Sequence, residues 1–438
     1  MDPLVLGTLV AIATVVVLFS GISVATGLLI VSAAFLLIFD GMRSLELIPE
    51  ILFGKLDNFA LLSIPMFIIM GASIASTRAG ADLYEALERW LNRVPGGLVV
   101  SNLGACALFA AMSGSSPATC AAIGKMGIPE MRKRGYPDGV AAGSIAAGGT
   151  LGILIPPSVT MIVYGIATET SIGRLFLAGV LPGLLLVGLF MVWSLYSTWR
   201  HGSAEVLASR TYSWKQRFEI MPRVFPFLLI IFGVLYAMYG GVATPSETAA
   251  VGALLCLFIA MIIYKLWNPT ALWGVLRDST RESVMILFII GAAGVFSYML
   301  SSLFITQAIA EWIGTLDVNR WVLMGVINVF LIIAGFFLPP VAVILMAAPI
   351  LLPIILNAGF DPYWFAVVLT INMEIGLISP PVGLNLYVIN GIAPDISLKT
   401  ILTGSLPYVA CMVIAIILLC FFPGIATWLP EVLMGASI

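Results

Sequence analysis

Gly152 to Val159 reads GILIPPSV, and 224 residues later Gly376 to Gly383 reads GLISPPVG. In each stretch a glycine stands four residues ahead of two adjacent prolines, inside apolar sequence. Proline removes a backbone donor, clashes with the carbonyl four residues back and drives the preceding residue out of the helical region. The spacing therefore predicts a helix that breaks. A broken backbone at membrane depth is tolerated only where protein buries it or a watery cavity receives its polar groups. Two such breaks in corresponding halves of a chain point to a transport site.

The surrounding composition makes membrane depth the right setting. The chain has 438 residues, 61% of them hydrophobic and 10% charged. Its mean hydropathy is +1.11. That is too apolar for a soluble core to absorb, so a polytopic membrane protein is expected. Apolar stretches long enough to cross a hydrocarbon core of about 30 Å lie near 3–20, 21–39, 58–77, 138–168, 175–199, 222–241, 246–266, 283–304, 362–392 and 400–425. Two more, 98–131 and 321–357, carry a small-residue or proline knot at mid-length (Ser113 to Pro117; Leu338 to Pro340), as expected of hairpins that enter and leave on one side. The first apolar stretch lacks a basic leader and a small-residue cleavage site, so two closely joined helices are expected there rather than a signal peptide. Segments 45–57 and 268–282 alternate charged and apolar residues and read as helices lying in the interface, with Trp267 and Trp273 as anchors.

Charge sets a direction. If the loop from Arg200 to Arg223 is cytoplasmic, fifteen Lys and Arg residues fall on that side and four (Arg43, Lys55, Arg174, Arg320) on the other. This positive-inside bias places both termini on the periplasmic side, opens the first hairpin to the cytoplasm and the second away from it. A net charge of −2 argues against a nucleic-acid partner. Five cysteines in apolar segments and a single histidine, His201, in a basic loop give no metal or nucleophile pattern, so no enzyme is expected. A passive channel has no need of two opposed broken helices.

The repeat extends beyond the proline pairs. At the same offset Pro129 falls on Pro353, Gly135 on Gly359 and Tyr136 on Phe360, so that the likeness covers about 70 residues per half. An odd number of spans separates the two breaks, which inverts one half relative to the other. The first hairpin tip, MSGSSPAT from Met112 to Thr119, brings four hydroxyls to a helix break. The N-terminus of its returning arm suits a carboxylate, and carbonyls freed at the ends of half-helices suit a hard monovalent cation. The second tip, Gly335 to Pro340, has no hydroxyl, so an ion there would rely on backbone carbonyls with Ser379, Asn372 or Asn385. Two ionisable residues lie deep in apolar sequence. Lys125 either snorkels to the cytoplasmic surface or contacts substrate; Glu374 either pairs with a residue such as Lys125 or takes part in coupling. Glu247, with Ser246 alongside, reads as a helix N-terminal cap.

SGSSPATCAAIGKMGIPEMRKRGY (Ser113–Tyr136), GTLGILIPPSVTMIVYG (Gly149–Gly165), LFLAGVLPG (Leu175–Gly183), GVATPSETAAVG (Gly241–Gly252) and INMEIGLISPPVGLNLYVINGI (Ile371–Ile392) together resemble the large transmembrane subunit of tripartite ATP-independent periplasmic (TRAP) transporters, the DctM-like family. The resemblance implies an all-α integral membrane fold: an inverted-repeat, elevator-type secondary transporter with two re-entrant hairpins and two broken helices, driven by sodium and using no cofactor. It implies a bacterial inner-membrane location. It also implies three kinds of partner: a small four-helix membrane subunit, absent from a chain that begins directly with the large-subunit pattern, a periplasmic substrate-binding protein, and an organic acid anion such as a C4-dicarboxylate. Carried over by position, one sodium site would use Ser113 and the backbone around Gly152, Ile155 and Pro157. A second would use Gly335, Gly376, Ser379 and Pro381. The anion would sit near Ser115, Ser116, Thr119 and Asn385. The expected division is 1–94 scaffold, 95–183 first transport half, 184–317 scaffold, 318–398 second transport half and 399–438 C-terminal helix. The alternative is a self-sufficient dimeric sodium/dicarboxylate symporter that needs no binding protein.

Overall fold

The computed structural model describes residues 1–91, 97–201, 212–315 and 318–435. Among them every regular element is a helix. A first series runs α1 (Pro3–Phe19), α2 (Val24–Phe39), α3 (Met42–Glu46), α4 (Ile48–Leu56), α5 (Ser63–Ala75) and α6 (Ala79–Leu91). Next come α7 (Gly97–Ser113), α8 (Ser116–Lys133), α9 (Asp138–Thr150), α10 (Val159–Thr168) and α11 (Ile172–His201). The second series is α12 (Trp214–Glu219), α13 (Met221–Tyr239), α14 (Pro245–Tyr264), α15 (Pro269–Ser302) and α16 (Ile305–Thr315). It ends with α17 (Arg320–Phe337), α18 (Pro340–Asn357), α19 (Pro362–Leu377), α20 (Leu384–Ile392), α21 (Leu398–Phe421) and α22 (Gly424–Met434).

Both predicted helix breaks are present. The chain leaves helix between α9 and α10, after a short 3₁₀ turn at Leu151–Ile153, and again between α19 and α20. Both predicted knots also interrupt helix, between α7 and α8 at Gly114–Ser115 and between α17 and α18 at Leu338–Pro339. The arms of the first hairpin pack along each other, whereas those of the second diverge: α17 lies on α19, and α18 on α10 and α15.

The ten expected crossings are not all single long helices. Among the described residues seven helices are at least 18 residues long and apolar enough to cross alone; these include α17 and α18, the arms expected to form a re-entrant hairpin. The remaining expected spans are either short, like α1 and α2, or interrupted. The two segments expected to lie in the interface differ from each other. α4 is a separate helix, joined to α5 through a 62° bend. The bend follows from Asp57, held at φ −82°, ψ 60°, and Asn58, whose side chain caps the next turn by accepting from the Ala60 N–H at 2.9 Å. At 268–282 no such breaker occurs. Asn268 caps once, Pro269 takes the first turn, and one 34-residue helix continues through the next span. His201 closes α11 rather than lying in a loop. Thr244, not Ser246, caps α14 in a capping box with Glu247, while Ser246 donates to the Phe59 carbonyl at 3.1 Å.

Packing reveals a repeat larger than sequence shows. α8 lies on α20 as α18 lies on α10, and α9 on α21 as α19 on α11. Outside that group α5 packs on α14 as α15 packs on α2, and α1 on α16 as α13 on α6. Each contact has a partner under the exchange of α1–α11 for α13–α21, a two-fold pattern covering nearly the whole chain. The boundary at 183–184 falls inside the continuous α11.

Lipid removes most of the hydrophobic drive between helices, so close approach of small residues must supply contact. Where α9 meets α21, a Cβ on Gly143 would fall onto the Gly404 backbone, and one on Gly404 onto the Gly139 carbonyl. Overpacking of this kind costs about 1–3 kcal/mol. Gly404→Ala is therefore expected to lower the thermal midpoint of the purified protein. Gly233→Ala, with nothing within 4 Å of its added Cβ, should leave that midpoint unchanged; equal effects would contradict the packing.

Candidate functional site

The first tip folds on itself before it meets anything else. Gly114 turns the chain at φ +58°, a region that disfavours side chains. Thr119 donates its hydroxyl to the Ser115 carbonyl at 2.8 Å and lies 3.0 Å from the Ser113 hydroxyl. Thr119 is buried behind the tip, while Ser115 is half-buried and lines a cavity. Ser116, the first residue of α8, bonds across the repeat: Asn385 Nδ2 donates to its Oγ at 2.8 Å and to the Ala146 carbonyl at 3.1 Å, and Ser116 Oγ donates to Asn385 Oδ1 at 3.1 Å. The anion candidates thus divide. Ser115 and Ser116 border the cavity; Thr119 and Asn385 hold the tip in place.

The first break is pressed against this tip. Pro156 cannot donate to the Gly152 carbonyl, nor Pro157 to that of Ile153, which instead accepts from Ser158 Oγ at 2.5 Å. Ser158 also caps α10, accepting from the Met161 N–H at 3.3 Å. A Cβ on Gly152 would lie 2.6 Å from the Ser115 carbonyl oxygen, and one on Gly114 would lie 2.8 Å from that of Pro157. Ser113, Gly152 and Pro157 are thereby brought to one spot. The Ile155 side chain turns away, toward Gly183 of α11.

The second break uses the same device with other contacts. Gly376 meets Gly335 backbone to backbone, and the Val382 N–H donates to the Phe336 carbonyl at 3.3 Å. Asn372 Nδ2 donates to Asn328 Oδ1 at 2.5 Å, tying α19 to α17. Gly335, Gly376 and Ser379 converge, but Pro380 to Val382 are exposed where the first break is buried.

One cavity of about 840 Å³ joins these parts. Its wall includes the starts of four helices: Ser116 of α8, Val159 of α10, Pro340 of α18 and Leu384 of α20. Each start carries roughly half a positive charge. Among the described residues no Lys, Arg or His lines the cavity, whereas Asp278 and Glu282 of α15 do. Thr160, buried in the first turn of α10, lines it too and escaped the sequence reading, although a threonine two residues past the Ser158 cap could have signalled it. Glu374 is fully buried with neither carboxylate oxygen hydrogen-bonded, and Lys125 is exposed on α8, so the suggested pair between them does not form. Among the described residues no cluster of His, Cys, Asp or Glu could hold a metal ion. All five cysteines are free, four of them buried.

Removing the Asn385 amide would leave the Ser116 hydroxyl and the Ala146 carbonyl without partners inside protein, a loss of about 1–3 kcal/mol. Asn385→Ala is accordingly expected to lower the thermal midpoint by several degrees. Ser115→Ala, at the cavity wall, should change it little; a reversed ranking would show that the cross-repeat bond does not form.

Comparison with known proteins agrees with this architecture. The profile of the family described as "Tripartite ATP-independent periplasmic transporter, DctM component" matches residues 11–425. The C4-dicarboxylate TRAP transporter large permease protein DctM of Pseudomonas aeruginosa is 38% identical over 392 residues, 90% of each chain. The sialic acid TRAP transporter large permease protein SiaM of Vibrio cholerae is 31% identical, over 95% of this chain and 97% of that one. Among solved structures, the Alcanivorax borkumensis YdaH transporter superposes with a TM-score of 0.67 at 16% identity, covering 98% of this chain and 100% of the other, a likeness of fold alone. With helices apolar enough to cross a membrane and a family profile spanning nearly its whole length, the chain belongs to the DctM component family of tripartite ATP-independent periplasmic transporters and is a large permease subunit, not an enzyme.

Proposed function

We propose that this subunit imports an organic acid anion across the bacterial inner membrane together with sodium, the anion being delivered by a periplasmic binding protein and the membrane complex completed by a small four-helix subunit. The observation that carries the reading is a cavity bounded by both tips and both breaks with no basic side chain on its wall among the described residues. An anion there is met by helix N-termini and hydroxyls, against Glu282 and an Asp278 that is paired with Arg277 at 3.1 Å. The four helix starts offer partial charges of about one half each and no full positive charge. Cations at the carbonyls freed by the breaks supply the missing charge, so anion and sodium bind together. The first sodium belongs with Ser113, Gly152, Ile155 and Pro157, the second with Gly335, Gly376, Ser379 and Pro381. The anion lies at Ser115 and Ser116, with Thr119 and Asn385 holding them.

Transport follows as an elevator motion. α7–α11 and α17–α22 form one body through the cross-repeat contacts, and α1–α6 with α12–α16 form a scaffold. The hairpins enter the membrane from opposite sides, and the basic loops face the cytoplasm. The cavity then opens inward, because its outer wall is the N-terminal half of α15, the start of α2 and the end of α5. Substrate class follows from the relatives: C4-dicarboxylates are named for the P. aeruginosa protein and sialic acid for SiaM. A carboxylate is common to both. Membership of a tripartite family favours this reading over a self-sufficient symporter.

Proteoliposomes holding this subunit, its small partner and the binding protein should take up succinate or another organic acid only with an inward sodium gradient. Ser115→Ala with Ser116→Ala should cut that uptake at least ten-fold (about 1.4 kcal/mol or more) with normal membrane levels. Bulky residues at Gly152 or Gly376 should raise the sodium requirement. Uptake without sodium, or unchanged sodium titrations in both glycine variants, would contradict the site. For the orientation, a cysteine at exposed Glu219 should be labelled from the cytoplasm alone, and labelling from outside would invert the map.

A further inference from the structure

Lys125 is the only charged residue between Gly97 and Pro129, and the proposed function gives it no task. It lies on α8 seven residues past Ala118, a cavity-lining residue. At about 100° per residue Ala118, Ala121, Lys125 and Arg132 form one stripe. Both flanks of the stripe are packed. On one side Ala122 meets Gly80 of α6, and on the other Gly124 meets Ile389 and Ile392 of α20. Lys125 stands between them, exposed, on a stripe that runs from the half-buried Ala118 at the cavity to the exposed Arg132. Arg132 is occupied, bonded to Asp138 at 2.9 Å and Asp395 at 2.6 Å. Lys125 makes no ion pair or hydrogen bond among the described residues.

An unpaired ammonium about two turns from the cavity is costly against hydrocarbon, which favours water along this stripe. Helical side chains lean toward the N-terminus of their helix. On α8 that direction is back toward Ser116 and the cavity, the opposite of snorkelling toward the Arg132 end. Resting on the proposed function, we propose that Lys125 is an anion-attracting station in a passage joining the cavity to the surface: it draws the carboxylate substrate along α8 between the tip and the exit.

A labelling experiment in the assembled complex tests this without knowledge of the substrate. Ala118→Cys, in a Cys420→Ser background, is modified with the anionic sulfonatoethyl and the cationic trimethylammonioethyl methanethiosulfonates at low salt. A unit charge about 10 Å away at an effective dielectric of about 40–80 alters each rate about two- to four-fold, and the anion-to-cation ratio by the square of that, about four- to sixteen-fold. The ratio is expected to fall by that factor in Lys125→Gln and to be kept in Lys125→Arg, and Lys125→Cys is expected to react with both reagents. An unchanged ratio in Lys125→Gln, or a Lys125→Cys that neither reagent reaches, overturns the proposal. A wild-type complex with no sodium-stimulated uptake would overturn the transport reading, while the ratio would still decide the role of Lys125.

Discussion

A helix broken inside lipid must find partners for the backbone groups it frees, and this requirement organises the rest of the molecule. The two proline pairs strip donors from carbonyls four residues back. Neither break can stand alone at membrane depth, so each is covered by the tip of a hairpin. Covering works only at glycine. Gly152 lets the Ser115 backbone approach, and Gly376 lets that of Gly335 approach. The scaffold uses the same device, since a Cβ on Gly71 of α5 would lie 2.5 Å from the Ser113 carbonyl oxygen. Contacts without interlocking side chains suit surfaces that slide, and this is how we read the boundary between body and scaffold.

The halves share a plan and differ in chemistry. The first tip is largely buried, rich in hydroxyls and tied across the repeat by Asn385, whereas the second is apolar and its proline pair is exposed. Such inequality fits a single substrate seat between two cation seats. Under the proposed sodium coupling, the absence of basic residues from the cavity wall among the described residues has a plain electrostatic reading: a cation fixed at the substrate seat would hold an anion with or without sodium.

Much of this was legible in sequence because backbone chemistry carried it. Pro-Pro after glycine, and Ser-Gly-Ser-Ser-Pro at a hairpin centre, force breaks that no tertiary context repairs, and both sit where the spacing predicted. The bend at Asp57–Asn58 and the straight course of α15 were harder to read, since both segments show the same charged and apolar alternation and differ in where the capping asparagine falls, Asn58 after the first and Asn268 at the start of the second. The bond between Ser116 and Asn385 joins residues 269 positions apart, and pattern alone cannot pair them. The full extent of the repeat was hidden for a related reason. In the scaffold, lipid-facing positions accept any apolar residue, so the likeness survives in packing and not in letters.

The central claim is that α7–α11 and α17–α22 move as one body against the scaffold when sodium and substrate bind. Electron-electron distance measurements on spin labels test it most directly, with one pair at Lys133 and Lys399 inside the body and another at Lys133 and Glu219 across the boundary. The account predicts that sodium with substrate shifts the cross-boundary distribution and leaves the internal one fixed. If both distributions stayed fixed, or if the internal distance moved as much as the other, the two-body description would be wrong.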